Sequence, residues 1–96
     1  MVSLKEWRRK IKRLRSEPGF KVFSTNHVRL RMRERHVSFV DLLQVVERGA
    51  VIEDQSEHGE TKLRMSGRDV DGRAVDIVVV VDESEPSLRV VTVIAD

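Results

Sequence analysis

Three side chains that could act on a phosphodiester, His27, Arg31 and Arg35, are spaced four residues apart. On a helix this spacing aligns them along one face. An imidazole with an ordinary pKa near ~6.5 can exchange a proton at neutral pH, and the forked guanidinium groups suit bidentate phosphate binding. Metal-free RNA cleavage needs a base for the 2′-hydroxyl proton, cations for the charge at phosphorus and an acid for the leaving oxygen. These three residues are therefore candidate catalytic residues.

Further polar residues could complete such a site. His58, like Glu60 in the same polar segment, could supply a second proton-transfer group, and Arg68 could join the catalytic set from a strand. The candidate contacts to an RNA backbone are Lys62, Arg64, Arg73, Arg29 and Arg33. Cysteine is absent and the histidines lack a metal-ligand spacing, so we expect neither a metal nor another cofactor.

Each candidate also has a purely structural interpretation. His27 could be a partly buried residue that joins a helix to the sheet through a backbone hydrogen bond. Arg31 and Arg35 could form internal salt bridges, since unpaired buried charge is costly. The acids that could pair with them are Glu53, Asp69 and Asp76. The arginines of the later strands could simply be polar residues on an exposed sheet face.

Residues 26–36 can be read as a strand or as a helix. Their alternation of apolar and charged residues favours a strand. Arg, Glu and Met are better helix formers than strand formers, however, and Ser24, Thr25 and Asn26 supply capping residues directly before them. We therefore predict a helix, on which Arg29 and Arg33 face solvent.

Two more helices are predicted from their caps. Ser3 and Glu6 fit a capping box before a basic amphipathic helix that stops at Pro18-Gly19. Ser38 and Asp41 begin an apolar helix that Gly49 ends. A short strand over Phe20 to Phe23 separates the first helix from the second.

After Gly49 the pattern changes to strands. The predicted strands are Ala50 to Glu53, Thr61 to Asp69, Arg73 to Val81 and Leu88 to Ile94. Asp71-Gly72 predicts a two-residue hairpin in which Arg68 pairs with Val75 and Arg64 with Val79. That register would place all the basic residues of the two strands, Lys62, Arg64, Arg68 and Arg73, on one sheet face.

Charge is unevenly distributed along the 96 residues. Residues 1–36 hold twelve Lys/Arg against three Asp/Glu, and residues 37–96 hold six against thirteen, so the halves carry +9 and −7. This asymmetry indicates a basic surface for a polyanion, for an acidic partner or for the protein's own acidic half. No apolar run is long enough to span a bilayer, so we expect a cytoplasmic protein without membrane contact.

These motifs together resemble a known family. The pattern comprises His27-Val28-x-x-Arg31-Met32-x-x-Arg35, Val37-Ser38-x-x-Asp41, Gly49-x-x-Ile52-Glu53 and Ser66-Gly67-Arg68-Asp69. It is similar to a bacterial and archaeal family of domains of unknown function that is allied to RelE-superfamily toxins of the BrnT and MqsR types. The resemblance implies a RelE-like fold, metal-independent endoribonuclease activity and a protein antitoxin. Two departures are His36, where the family often has glycine, and the absence of tyrosine.

We expect one α+β domain over residues 1–96, with a basic N-terminal helix in 1–19 and a RelE-like core in 20–96. N-terminal helices would pack on a mainly antiparallel, twisted sheet of four or five strands. Three functions stay open: a toxin-type ribonuclease, a non-catalytic RNA-binding module, and an interaction domain whose basic helix or open sheet edge receives an acidic or extended partner segment. The oligomeric state and the RNA target stay undetermined.

Overall fold

The computed structural model describes residues 2–95 as three helices packed on a five-stranded mixed sheet. The helices are α1 (Leu4–Arg15), α2 (Asn26–Glu34) and α3 (Phe39–Arg48). The strands are β1 (Lys21–Ser24), β2 (Ala50–Asp54), β3 (Lys62–Arg68), β4 (Ala74–Asp82) and β5 (Ser87–Ala95). The α+β class is confirmed. No helix within residues 2–95 is long and apolar enough to cross a membrane.

The strands lie in the order β1-β5-β4-β3-β2. β1 runs parallel to β5, whereas the other three neighbouring pairs are antiparallel. The sheet is therefore mixed rather than purely antiparallel. Two parallel strands need a long connection between them. The segment from α2 to β4 provides this connection between β1 and β5.

The helical interpretation of residues 26–36 is confirmed over Asn26–Glu34. Thr25 is the N-cap, and its Oγ1 accepts a hydrogen bond of 3.2 Å from the backbone N–H of Val28. α3 begins with the predicted capping box, in which Ser38 and Asp41 each accept from the other's backbone N–H at 3.1 and 2.8 Å. These caps satisfy amide groups that the first turn of a helix leaves unpaired.

One face of the sheet forms the core with the three helices. The helices contribute Trp7, Ile11, Leu14, Val28, Met32, Leu42, Val45 and Val46, and the sheet contributes Val51, Leu63, Met65, Val75, Ile77, Val79, Leu88, Val90, Val93 and Ala95. Because side chains alternate along a strand, the neighbours of these residues lie on the opposite face. That face carries Arg64, Asp76, Val78 and Ile94.

The predicted β3–β4 register was wrong by one residue. Arg64 pairs with Val78 rather than with Val79, and Arg68 pairs with Ala74 rather than with Val75. A shift of one residue transfers every side chain of a strand to the other face relative to its partner. Val78 therefore lies on the face that carries Arg64, and not on the core face.

The cause of this shift is Asp69. Its Oδ1 accepts hydrogen bonds from the backbone N–H groups of Asp71 and Arg73, at 2.9 and 2.8 Å. These bonds stabilise a three-residue loop, Val70 to Gly72, in place of the predicted two-residue one, and Gly72 takes the left-handed conformation with φ of 89°. Arg73 then pairs with Asp69 and lies on the helix side, away from Arg64.

Gly49 ends α3 as predicted, and the close approach of α3 to β3 explains why it is glycine. A Cβ atom at this position would lie 2.4 Å from the carbonyl oxygen of Val45 and 2.8 Å from that of Ser66. Both oxygens belong to the backbone and cannot rotate away. The contact fixes the height of α3 over the sheet.

Candidate functional site

The three residues proposed for catalysis line one groove between α2 and the end of β5. The groove has a volume of about 300 Å³, and α2 contributes His27, Val28, Arg31 and Arg35 while β5 contributes residues 91–95. Val28 and Met32 are buried in the core and set the rotation of α2. His27, Arg31 and Arg35 consequently occupy the side of the helix that faces β5.

The groove is positively charged. Arg31 is half-buried and Arg35 is exposed, and neither forms a salt bridge with any carboxylate in residues 2–95. The acids proposed as internal partners are engaged elsewhere. Asp69 pairs with Arg73, Asp76 pairs with Arg64, and Glu53 accepts a hydrogen bond from Gln55. No aspartate or glutamate lines the groove within the described part of the chain.

The C-terminal end of α2 is held by Arg73. Its Nη1 donates to the carbonyl oxygen of Arg35 at 2.8 Å, and its Nη2 donates to that of His36 at 3.0 Å. Its Nε donates to Oδ2 of the buried Asp69 at 3.0 Å. A cation at this end also complements the helix dipole. Arg73 therefore fixes the backbone from which the Arg35 side chain enters the groove.

Asp41 ties the same hairpin to α3. Its carboxylate, which is buried, accepts from the backbone N–H of Ser38 at 2.8 Å and from that of Val70 at 3.0 Å. Burial raises the pKa of Asp41, but the hydrogen bonds from Ser38 and Val70 outweigh it and hold that pKa below the ordinary value of 3.8. The capping box with Ser38 was visible in the sequence. The bond to Val70 was not, because it depends on the hairpin loop.

His58 does not join His27. It lies in the β2–β3 loop with φ of 52°, and it lines a separate, open cavity with Glu60, Phe23 and Arg89. The acidic β4–β5 turn also contributes to that cavity, through Asp82, Glu83 and Glu85. Arg68 is exposed beside the β3–β4 loop, where its Nη1 donates to the Gly72 carbonyl oxygen at 2.8 Å, and it does not line the groove.

The residues proposed for RNA contact are dispersed. Arg64 donates two hydrogen bonds to Asp76 at 2.9 and 2.6 Å on the sheet face opposite the core, where Lys62 is half-buried. Arg29 bonds to Asn26 Oδ1, and Arg33 is exposed on α2. Of the five residues proposed for RNA contact, only Arg29 and Arg33 lie on α2, the helix that forms one wall of the groove. Arg73 is engaged in the contacts described above.

Residues 2–95 contain no group of three or more His, Asp or Glu side chains that could hold a metal ion. Neither the curated proteins nor the solved structures include a significant match to the chain. A family of domains of unknown function, DUF4258, matches residues 24–95, from the last residue of β1 to the end of β5. That span contains the whole groove and three quarters of the chain, and its description assigns no activity and no link to RelE-type toxins. The chain belongs to the DUF4258 family.

Proposed function

We propose that the groove between α2 and β5 binds and cleaves single-stranded RNA without a metal ion. The observation that carries the proposal is the placement of one imidazole and two guanidinium groups in one groove, with no carboxylate among its described lining residues. Guanidinium groups without an internal acid partner are available to a phosphate. They would also stabilise the additional negative charge that develops during attack at phosphorus.

The chemistry follows from these groups. His27 accepts the proton of the 2′-hydroxyl, and the resulting oxygen attacks phosphorus to form the new P–O bond. Arg31 and Arg35 hold the two non-bridging oxygens. The bond to the 5′-oxygen breaks, and water entering the open groove donates the proton that this oxygen needs. The proton held by His27 then passes to the hydroxide that remains, which restores the neutral imidazole. The products are a 2′,3′-cyclic phosphate end and a 5′-hydroxyl end.

The surroundings of the groove support RNA as the substrate. Arg29 and Arg33 are both exposed on α2, so the helix presents further cations beside the groove. Phosphate contacts supply most of the affinity for single-stranded nucleic acid and make it dependent on salt. A non-catalytic RNA-binding module would use the same cations, and the cleavage assay below separates the two functions.

A toxin role extends this proposal. A toxin-type endoribonuclease would arrest growth when produced alone, and a protein antitoxin would have to block it. The arrangement of helices followed by a sheet, together with the motif resemblance, supports a RelE-like type. Induced expression of the wild-type chain and of His27→Ala in bacteria tests the role, with growth arrest expected for the wild type alone.

The direct test measures cleavage of single-stranded RNA by purified protein in the presence of a chelator. We expect the wild type to leave cyclic phosphate ends and His27→Ala to cleave at least about tenfold more slowly, as typical for loss of a general base. His58→Asn is the matched control, because it removes a histidine outside the groove and because asparagine tolerates the positive φ at this position.

Equal rates for His27→Ala and the wild type would remove His27 from the mechanism. Salt-sensitive RNA binding without cleavage would show a binding module instead of an enzyme. The absence of both binding and cleavage would refute the proposal.

A further inference from the structure

One edge of β5 has no strand neighbour over half of its length. β1 pairs with Ser87 to Val90 and then ends, and the backbone N–H of Thr25 donates to the Val90 carbonyl oxygen at 3.4 Å. β5 continues to Ala95, and β4 is its only strand partner there within residues 2–95. These last five residues span about 16 Å of open edge, which also forms one wall of the groove.

The direction of the backbone groups in β4 follows from its register with β3. The backbone N–H of Asp69 donates to the Arg73 carbonyl oxygen at 2.9 Å, and the N–H of Val81 donates to that of Thr61 at 2.9 Å. Residues of an antiparallel strand direct both backbone groups alternately to one neighbour and to the other. The odd-numbered residues of β4 therefore bond to β3, and the even-numbered ones bond to β5.

The same alternation assigns the groups of β5. Thr92 and Ile94 stand opposite the even-numbered residues 78 and 76 of β4, so their N–H and C=O groups point to β4. Val93 and Ala95 must then direct their N–H and C=O groups away from the sheet, toward α2 and the groove. An extended chain placed in the groove could pair with these four groups as an additional strand.

The other sheet edge shows how such an edge is protected in this protein. At β2, Arg8 of α1 donates from Nε to the Val51 carbonyl oxygen at 3.0 Å, and Trp7 donates to Asp54 at 3.0 Å. Side-chain blocks of this kind prevent edge pairing. Within residues 2–95, no side chain forms a hydrogen bond to the backbone of residues 91–95.

The charge of the groove selects the kind of chain that would fit. A second copy of this protein, paired edge to edge through β5, would bring two sets of Arg31 and Arg35 together, and like charges repel. An acidic segment would instead place carboxylates beside these guanidinium groups. We propose that the β5 edge accepts an extended, acidic segment of a protein partner as a sixth strand.

The docking of an acidic strand is inferred from the open edge of β5. Its expected effect, inhibition of RNA cleavage, rests on the proposed function. A strand paired with Val93 would occupy the groove and cover His27. An acidic partner would then inhibit RNA cleavage by direct occlusion, and the two ligands would compete for the same arginines.

The test measures backbone amide exchange by NMR in the full chain. In the free protein, we expect the amide of Val93 to exchange at least about tenfold faster than those of Thr92 and Ile94, since an amide without a strand partner opens more easily. The probe is the peptide acetyl-Glu-Val-Glu-Val-Glu-Val-amide at millimolar concentration. We expect it to slow exchange at Val93 and Ala95 at least about tenfold.

Two comparison peptides isolate the two causes. A peptide with Lys in place of Glu keeps the backbone and reverses the charge, and a Glu peptide N-methylated at alternate residues keeps the charge and removes the strand donors. Neither should protect Val93. The double variant with Arg31→Ala and Arg35→Ala should weaken the acidic peptide at least about tenfold, whereas Arg9→Ala, at an exposed position of α1, should not.

Slow exchange of Val93 in the free protein, or no protection by the acidic peptide, would overturn the inference. Protection by a single-stranded RNA but not by the peptide would also overturn it. The outcome is separable from that of the proposed function: a protein that cleaves RNA but ignores the peptide loses only the docking. A protein that binds the peptide but leaves RNA intact loses only the nuclease.

Discussion

Arg73 should contribute more to stability than any other exposed or half-exposed arginine of the sheet. It joins the buried Asp69 to the carbonyl oxygens of Arg35 and His36, and so connects the β3–β4 hairpin to the end of α2. Arg73→Ala would remove these hydrogen bonds together. Asp69 would remain buried, with only backbone N–H groups as donors.

The size of the effect can be bounded from the burial of the two partners. Loss of one partner from a buried ion pair costs about 3–5 kcal/mol. The side chain of Asp69 is only 5% exposed, but that of Arg73 is 31% exposed, so water can replace part of the lost interaction. We therefore expect Arg73→Ala to lower the free energy of unfolding by about 2–3 kcal/mol.

Urea denaturation followed by circular dichroism measures this difference. A chain of 96 residues has a total stability of about 5–14 kcal/mol. In a thermal scan, the loss of unfolding free energy in Arg73→Ala should lower the melting temperature by about 10–20 °C. The free energy of unfolding of Arg73→Lys should lie between those of the wild type and Arg73→Ala, because one ammonium can pair with Asp69 but cannot also reach both carbonyl oxygens. Arg68→Ala is the matched control in the same hairpin, and it should cost about 0.5 kcal/mol or less, as an exposed residue does.

Equal urea midpoints for Arg73→Ala and Arg68→Ala would refute this reasoning. They would show that solvent compensates fully for the lost contacts and that the end of α2 is held by the core alone.

Two further changes test the contacts that place α3. Asp41 has a pKa below 3.8 in the folded state, so its carboxylate stabilises the fold above about pH 4 and this contribution is lost as the pH falls through the lowered pKa. The free energy of unfolding of Asp41→Asn should therefore fall less steeply than that of the wild type between about pH 4 and about pH 2. Urea denaturation at several pH values measures this, and an equal fall in both proteins would contradict it. Gly49→Ala should cost about 2–3 kcal/mol, because the added Cβ meets the carbonyl oxygens of Val45 and Ser66 at 2.4 and 2.8 Å; an unchanged urea midpoint would show that α3 moves away freely.

Local signals in the sequence were sufficient for the helices. The cap at Thr25 and the helix-forming residues after it outweighed the alternating pattern of residues 26–36, and the helix buries Val28 and Met32 while Leu30, which a strand would place on the same face, is exposed. That choice also brought His27 and the two arginines of α2 to one face. The candidate groove was therefore predictable on its helix side.

The strand side depended on contacts that local patterns do not encode. The predicted two-residue hairpin loop was wrong because the Asp69 carboxylate accepts hydrogen bonds from two backbone N–H groups. These bonds favour a longer loop than Asp71-Gly72 alone would form. The parallel placement of β1 beside β5 joins residues more than sixty positions apart. The separation of His58 from His27 follows from the topology. The antiparallel order of β2 to β5 places the β2–β3 loop beside the β4–β5 turn, whereas the parallel β1 places α2 toward the opposite end of β5.

The folded chain does not neutralise its own basic half, although the numbers of charges would allow it. The sequence has sixteen Asp/Glu for eighteen Lys/Arg, yet the residues from 2 to 95 form three salt bridges, and two of them lie within the β3–β4 pair. Several of the remaining acids gather at the β4–β5 turn, at the opposite end of β5 from the α2 groove. Because no described acid lines the groove beside Arg31 and Arg35, its positive potential is available to an external anion. Of the two ligands proposed above, RNA and an acidic strand, only the strand would also pair with the backbone groups of Val93.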